Sequence, residues 1–109
     1  MADNKQLLLF EKQAEVAKAM AHPLRIAVIH FLKGGEQCVC DIAEQIGAER
    51  SNVSRHLAVM VNAGILSCRK DGLKVIYKLK TPCVLDFLGC VSRVLRQQAK
   101  DHEELLAAL

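Results

Sequence analysis

Apolar residues recur at helical spacing along most of the chain. Residues 5–21 and 38–46 each place them on one face, which predicts two amphipathic helices. Residues 23–33 are apolar nearly all round and predict a central core helix between them. His22-Pro23 separates the first two helices, because the residue before a proline avoids helical backbone angles. Gly34-Gly35 is the expected end of the second.

A fourth helix and a hairpin are predicted next. Gly47 is the expected stop of the third helix, and Ser51 the expected N-cap of a fourth that closes at Gly64. Only about four residues separate the two helices, as a helix-turn-helix requires. Residues 65–69 and 74–79 then predict two strands around Asp71-Gly72, a tight-turn signal. The strands would form a wing.

The last helix is predicted to open at Pro82. Its apolar residues follow at 4-3-4 spacing, namely Val84, Leu88, Val91 and Leu95. This stripe could be ordinary core, but after a complete helix-turn-helix and wing it favours a dimer seam made with the first helix. The polar tail, from about residue 101, is expected to fray.

These elements predict one fold class. The protein is expected to be mainly α-helical with a two-stranded β-wing, a winged helix-turn-helix of order α-α-α-α-β-β-α that dimerises through its first and last helices. The 109 residues suit one domain, residues 1–109. The longest apolar run, residues 7–10, is too short to span a bilayer, and no export signal precedes it. A cytoplasmic location without membrane contact is therefore expected.

Charge is spread unevenly along the chain. The net charge is only +3, yet five Lys and Arg residues stand against one Asp within residues 64–81. These basic residues could simply solvate a surface hairpin. Beside a helix-turn-helix, a basic ribbon more readily contacts phosphates, so Arg69, Lys70 and Lys74 are expected to contact DNA.

The fourth helix has the side chains of a DNA reader. Arg55 can donate two hydrogen bonds to a guanine edge, and Asn52 could read adenine or hold a phosphate. Ser51, Ser54 and His56 are short or planar donors suited to phosphates or base edges. For His56, the alternative is a histidine packed within the protein. The pattern predicts double-stranded DNA as the partner.

These motifs together resemble the ArsR/SmtB family over roughly residues 10–99. The residues that carry the resemblance are Ala21-His22-Pro23-x-Arg25, Cys38-Val39-Cys40-Asp41, Ser51-x-x-Ser54-x-His56-Leu57, Gly64-Ile65-Leu66, Arg69-x-x-Gly72 and Tyr77-x-Leu79. The resemblance implies a dimeric winged helix-turn-helix repressor that releases its operator when an inducer binds. The Cys38–Asp41 stretch resembles the metal box of arsenic- and cadmium-type members. Arsenite-type members commonly carry a third Cys where this chain has Ala43.

Five cysteines in a reducing cytosol indicate core thiols, metal ligands or sensors rather than disulfides. Cys38 and Cys40 would diverge by about 200° on a regular helix, so joint binding requires them to lie at or before its first turn, or to distort that turn. Thiolates prefer soft ions, here As(III) first, with Cd(II), Pb(II) and Zn(II) as alternatives. Cys83 or Cys90, from the same or the partner chain, could supply a third donor, whereas Cys68 is expected to be a buried, inert thiol.

The functional hypothesis is a metal- or metalloid-responsive DNA-binding repressor. A thiol-based redox or persulfide sensor is the alternative within the same class. A protein-binding winged helix with inert cysteines is a further alternative. The sequence disfavours an enzyme, because it shows no base paired with a nucleophilic Cys and no Gly-rich phosphate loop.

Overall fold

A computed structural model describes residues 3–109. The elements, in chain order, are α1 (Asn4–Met20), α2 (Pro23–Leu32), β1 (Gln37–Cys38), α3 (Val39–Ile46), α4 (Arg50–Asn62), β2 (Leu66–Asp71), β3 (Lys74–Leu79) and α5 (Cys83–Ala107). This is the predicted winged helix-turn-helix with one strand more than expected.

Helices α2, α3 and α4 enclose the core. Their inward faces bury Val28, Ile29, Ile42, Leu57 and Met60 almost completely. Ile65 and Leu66, at the start of the wing, belong to the same buried cluster. The central position predicted for α2 is confirmed, since it contacts α1, α3, α4 and β3.

The helix-turn-helix junction is one residue tighter than expected. Gly47 adopts a left-handed conformation (φ 74°) and its N–H bonds to the Ala43 carbonyl at 2.9 Å, which ends α3. The N-cap of α4 is Glu49, so the assignment of Ser51 as N-cap was wrong. The Glu49 carbonyl already accepts the N–H of Val53 at 3.0 Å, so the helix begins at Arg50, one residue before Ser51.

The wing is an antiparallel hairpin whose turn differs by one residue from the prediction. Asp71 pairs with Lys74 inside the ladder, so the two turn residues are Gly72 and Leu73. Gly72 has φ +63°, the conformation that a tight hairpin turn needs at this position. Leu73 stands fully exposed at the tip.

A short third strand was not predicted. β1 pairs antiparallel with β3 through Gln37–Tyr77 and Cys38–Ile76, so the sheet has the order β1-β3-β2. The two-stranded wing is confirmed as the β2–β3 hairpin, but β1 adds a third strand to its sheet, and α3 begins at Val39 rather than at the predicted residue 38. Two residues are too few to show alternation in sequence, and Cys38 pairs with an edge that the hairpin supplies.

Helix α5 is 25 residues long and leaves the core after its first two turns. Val84 and Leu88 are buried, whereas Val91 is 39% and Leu95 59% exposed. The helix continues through the polar tail to Ala107, where fraying was expected. Among residues 3–109, none of the helices is long and apolar enough to cross a membrane.

Candidate DNA-reading face and thiol site

Helix α4 presents one face to the core and another to solvent. Val53, Leu57 and Met60 recur at helical spacing and are buried, which fixes the rotation of the helix. The opposite face carries four of the five residues of α4 that were predicted to contact DNA. Ser51 and Arg55 are exposed, and Asn52 and Ser54 are half-buried.

Arg55 and Asn52 are joined on this outer face. The Arg55 Nη2 donates a hydrogen bond to the Asn52 Oδ1 at 2.9 Å, across one helical turn. The bond orients the guanidinium fork while its other N–H groups have no protein acceptor within residues 3–109. An ordered guanidinium loses less side-chain entropy when it binds a planar acceptor.

His56 lies at the junction of three helices. Its Nδ1 accepts a hydrogen bond from the Arg25 Nε at 3.0 Å, and its ring lies 4.3 Å from the His22 ring, centroid to centroid. Arg25 also donates from Nη1 to the carbonyls of Lys18 and Ala19, both at 3.4 Å. These hydrogen bonds connect the start of α2 and the end of α1 to α4, the predicted DNA-reading helix.

Partial burial lowers the pKa of His56 below 6.5, and the nearby charges of His22, Arg25 and Arg55 lower it further. A neutral His56 keeps Nδ1 free to accept from Arg25. Sequence reasoning missed Arg25 as a structural residue, although the motif that contains it had been singled out. The DNA contact expected of His56 stays a prediction.

The three wing residues that were predicted to contact DNA have different surroundings. Arg69 donates from Nη2 to the Glu36 Oε2 at 2.8 Å, and its Nη1 lies 3.7 Å from the Asp71 Oδ2. The hydrogen bond from Arg69 to Glu36 is the largest cause of a raised Arg69 pKa. Lys70 and Lys74 are exposed and have no carboxylate within 4.0 Å in the described part of the chain. They are better placed than Arg69 to attract phosphates.

Cys38 and Cys40 lie where joint binding of an ion would require them. Cys38 has an extended backbone (φ −80°, ψ 159°) and occupies the N-cap of α3 without a side-chain capping bond. Cys40 lies in the first helical turn. The two differ in access, since Cys38 is 6% exposed and Cys40 is exposed.

The remaining thiols lie on the surface. Cys68, Cys83 and Cys90 are all exposed, and the five cysteines are free thiols. The expectation of a buried Cys68 was wrong, because the wing projects from the core and leaves this part of β2 in solvent. Within residues 3–109, no three His, Cys, Asp or Glu side chains converge on a point that could hold an ion. One protomer therefore does not bring Cys83 or Cys90 onto the Cys38/Cys40 pair.

The helix-turn-helix and the Cys38/Cys40 pair lie in a part of the chain that matches a known protein family. Residues 22–67, from the start of α2 into β2, match the family described as "Bacterial regulatory protein, arsR family". Over 102 residues the chain is 31% identical to the uncharacterized HTH-type transcriptional regulator Rv0081 of Mycobacterium tuberculosis. That match covers 93% of this chain and 90% of Rv0081. The chain belongs to the ArsR family. It is a transcriptional regulator with a DNA-binding winged helix-turn-helix, and not an enzyme.

Two other relatives of this ArsR-family protein have names that state a metal. It is 33% identical over 75 residues to a probable mercury resistance operon repressor of Streptomyces lividans, covering 69% of this chain and 60% of that protein. It is 39% identical over 67 residues to a cadmium resistance regulatory protein, a CadC homolog of Staphylococcus aureus. The second match covers 61% of this chain and 55% of the homolog.

Solved structures share the fold of this ArsR-family protein. The crystal structure of Rv0081 matches with a TM-score of 0.74 at 32% identity, covering 86% of this chain and 95% of that one. The homodimeric winged helix-turn-helix domain of Mb0332 from Mycobacterium bovis matches with a TM-score of 0.77, covering 93% of this chain and 94% of that one. At 24% identity, the likeness to Mb0332 concerns the fold alone.

Proposed function

We propose that this protein is a homodimeric transcriptional repressor that binds double-stranded operator DNA and releases it when a thiophilic ion binds Cys38 and Cys40. As(III) is the ion we favour, with Cd(II), Pb(II) and Zn(II) as alternatives. The observation that carries the proposal is the placement of both thiols at the first turn of α3. Helix α3 packs directly on the reading helix α4, so a change at its start reaches the DNA-binding face.

The dimer is argued from unpartnered apolar surface. Helix α1 exposes four consecutive apolar side chains over residues 7–10, each more than half accessible. Helix α5 exposes Phe87, Val94 and Leu95 to a similar degree. Exposed apolar patches of this kind mark interaction surfaces, and a two-fold pairing of α1 and α5 with their copies would cover them. The Mb0332 domain, whose fold this chain shares, is homodimeric.

The DNA contacts divide between helix and wing. Arg55 and Asn52 are assigned to base edges, because their outer faces are exposed and their mutual bond orders them. Ser51 and Ser54 are assigned to phosphates or base edges at the start of the helix. Lys70 and Lys74 are assigned to phosphates, since neither has an acidic partner among residues 3–109.

Two thiols are too few for three-coordinate As(III), so a third donor must join them. Glu36 and Pro82 line the same hollow, which brings the start of α5 beside the loop that precedes Cys38. Cys83 follows Pro82 directly, whereas Cys90 lies two turns further, about 10.5 Å along the helix. We therefore favour Cys83 over Cys90, delivered by an opening of the first turn of α5 or by the partner chain.

The test is a parallel measurement of ion binding and DNA release. Reduced protein is titrated with arsenite, Cd(II), Pb(II) and Zn(II) while thiolate absorption and operator binding are recorded. Thiolate absorption that saturates at the concentration where DNA is released supports the proposal. Release by disulfide-forming oxidants or persulfide donors, with no response to any ion, would replace it with the redox alternative.

A further inference from the structure

Cys38 belongs to two elements at once. It is the N-cap of α3 and the last residue of β1, where its backbone pairs with Ile76 of β3. β3 is the central strand of the sheet and pairs with β2 on its other side. Residues 37–40, here called the thiol segment, therefore form an edge of the wing sheet and also the beginning of α3.

One row of the sheet runs from the thiol to a wing arginine. Ile76 is opposite Cys38 on one side and opposite Arg69 on the other. Directly opposed residues in antiparallel strands point to the same face, and so do residues two apart along a strand. Glu36 lies one residue before β1, and the 2.8 Å bond from Arg69 of β2 to Glu36 crosses the central strand β3.

Joint binding by the two thiols would disturb this row. Cys38 is buried against the core, while Cys40 is exposed in the first turn of α3. Because one side chain is buried and the other faces solvent, we expect the backbone around residues 38–40 to shift when both sulfurs bind one ion. Such a shift would disturb the Cys38–Ile76 pairing and the adjoining Glu36.

We propose that Glu36 and Arg69 are positioning residues that couple the thiol segment to the wing, so that inducer binding displaces the wing as well as α3. The inference rests on the proposed function and gives it a second route to DNA. In the ligand-free protein, the pair holds the wing in register with β1. When the thiols close on an ion, the link transmits the displacement of residues 36–38 to β2.

The test compares substitutions that weaken or remove the Arg69–Glu36 bond with Asp71→Asn, which changes a nearby charge and leaves both bonded residues in place. Glu36→Gln removes the carboxylate charge that strengthens the bond, Arg69→Gln removes the guanidinium donor, and Arg69→Lys keeps the positive charge. Asp71→Asn is the matched control, since it removes one negative charge beside Arg69, on the strand itself and 3.7 Å away. The quantity measured is the ratio of operator affinities without and with arsenite or Cd(II), which is typically 5–150-fold for a coupled ligand.

Glu36→Gln and Arg69→Gln should lower this ratio by at least about threefold relative to the unmodified protein. Arg69→Lys should keep most of it, and Asp71→Asn should leave it unchanged. Amide hydrogen exchange at Ile76 and Tyr77 should also accelerate when the ion binds. A purely phosphate-binding Arg69 would instead weaken DNA binding equally in both states, with Glu36→Gln silent.

The failure of this inference can be told apart from failure of the proposed function. If the unmodified protein releases DNA with an ion but all four variants keep its ratio, the wing coupling is wrong and the repressor function stands. An equal loss in Asp71→Asn would also overturn the coupling, by showing an effect of charge alone. If no ion releases DNA from the unmodified protein, both fall together.

Discussion

Arg25 of α2 donates a hydrogen bond from Nε to Nδ1 of His56 on the reading helix, at 3.0 Å. The same guanidinium reaches two carbonyls at the end of α1. Because α1 is also a proposed dimer helix, Arg25 lies between the dimer surface and the DNA-binding face. The orientation of α4 is therefore fixed by a polar contact as well as by its buried apolar face.

The His56 contact predicts a dependence of stability on pH. Its pKa is lowered in the folded protein, so below about pH 6.5 the unfolded state binds more protons than the folded state. The free energy of unfolding should fall as pH drops through this value, down to the folded pKa. Urea denaturation between pH 7.5 and 5.5 measures the slope. His56→Gln should flatten it, because glutamine can still accept from Arg25 but does not titrate.

The control for this prediction is His30→Gln. His30 is exposed on α2, and no hydrogen bond joins it to the Arg25–His56 contact. The contribution of His56 to the slope should persist in this variant. A slope unchanged in His56→Gln would show that other groups account for the pH dependence.

Wing and helix substitutions should have different effects on DNA binding. Lys70→Ala or Lys74→Ala should weaken operator and random DNA about equally and reduce the salt slope by about 1, since each removes a phosphate contact. Arg55→Ala should cost about 1–3 kcal/mol on operator DNA alone. Fluorescence anisotropy on both DNAs over a salt series measures these effects. An equal loss from Arg55→Ala on both DNAs would make Arg55 a phosphate contact.

The thiol variants should separate sensing from DNA binding. Cys38→Ser and Cys40→Ser should bind operator normally and lose the ion response, because serine is similar in size but supplies no soft thiolate. Serine at position 38 occupies an N-cap, where it is favourable, so the fold is expected to persist. The coupling lost should be about 1–3 kcal/mol. Operator binding with and without arsenite or Cd(II) measures both properties.

Cys83→Ser, Cys90→Ser and Cys68→Ser complete this series. We expect Cys83→Ser to weaken the response more than Cys90→Ser, and Cys68→Ser to respond normally. A Cys38/Cys40 double variant that still releases DNA at the original ion concentration would contradict the sensing role. A folded double variant that no longer binds DNA would instead give the pair a structural role.

Dimerisation should depend on the exposed half of α5. Leu95→Asp places a charge on a surface that is 59% exposed in one protomer, so the monomer should stay folded while the dimer dissociates. Analytical ultracentrifugation measures the dissociation. Leu73→Asp at the wing tip is the matched control and should leave the dimer intact.

On DNA, the dimer should require inverted half-sites about 10–10.5 bp apart or a multiple of that spacing. A monomer bound to a single half-site at low concentration would refute this.

Much of the fold follows from local sequence. Apart from the end of α5, the helices and the hairpin begin and end within one or two residues of their predicted positions, because apolar periodicity and Gly47 or Gly72 act locally. The details that differed also have local causes. The Glu49 cap has no side-chain capping bond that sequence rules could detect, and the turn moved by one residue because Asp71 joined the ladder.

The positions of the candidate site residues in the fold could be predicted from the sequence, but their contacts could not. The spacing of Cys38 and Cys40 indicated that they must lie at a helix start, and they do. The Arg25–His56 and Arg69–Glu36 bonds join residues 31 and 33 positions apart, and no periodic pattern specifies such pairs. β1 likewise exists only because β3 offers it an edge, a partner that lies far along the chain.

The unequal exposure of Cys38 and Cys40 would act as a threshold. An ion that approaches from solvent meets Cys40 first, and binding to that exposed thiolate alone would not change the conformation of the protein. Capture of Cys38 requires the ion to offset the packing and strand pairing that this residue gives up. Apparent affinity is then reduced by the small fraction of molecules whose buried thiol is accessible. Under the proposed function, this protein would discriminate among ions by the strength of their bonds to sulfur and would ignore weakly thiophilic metals even when these are abundant.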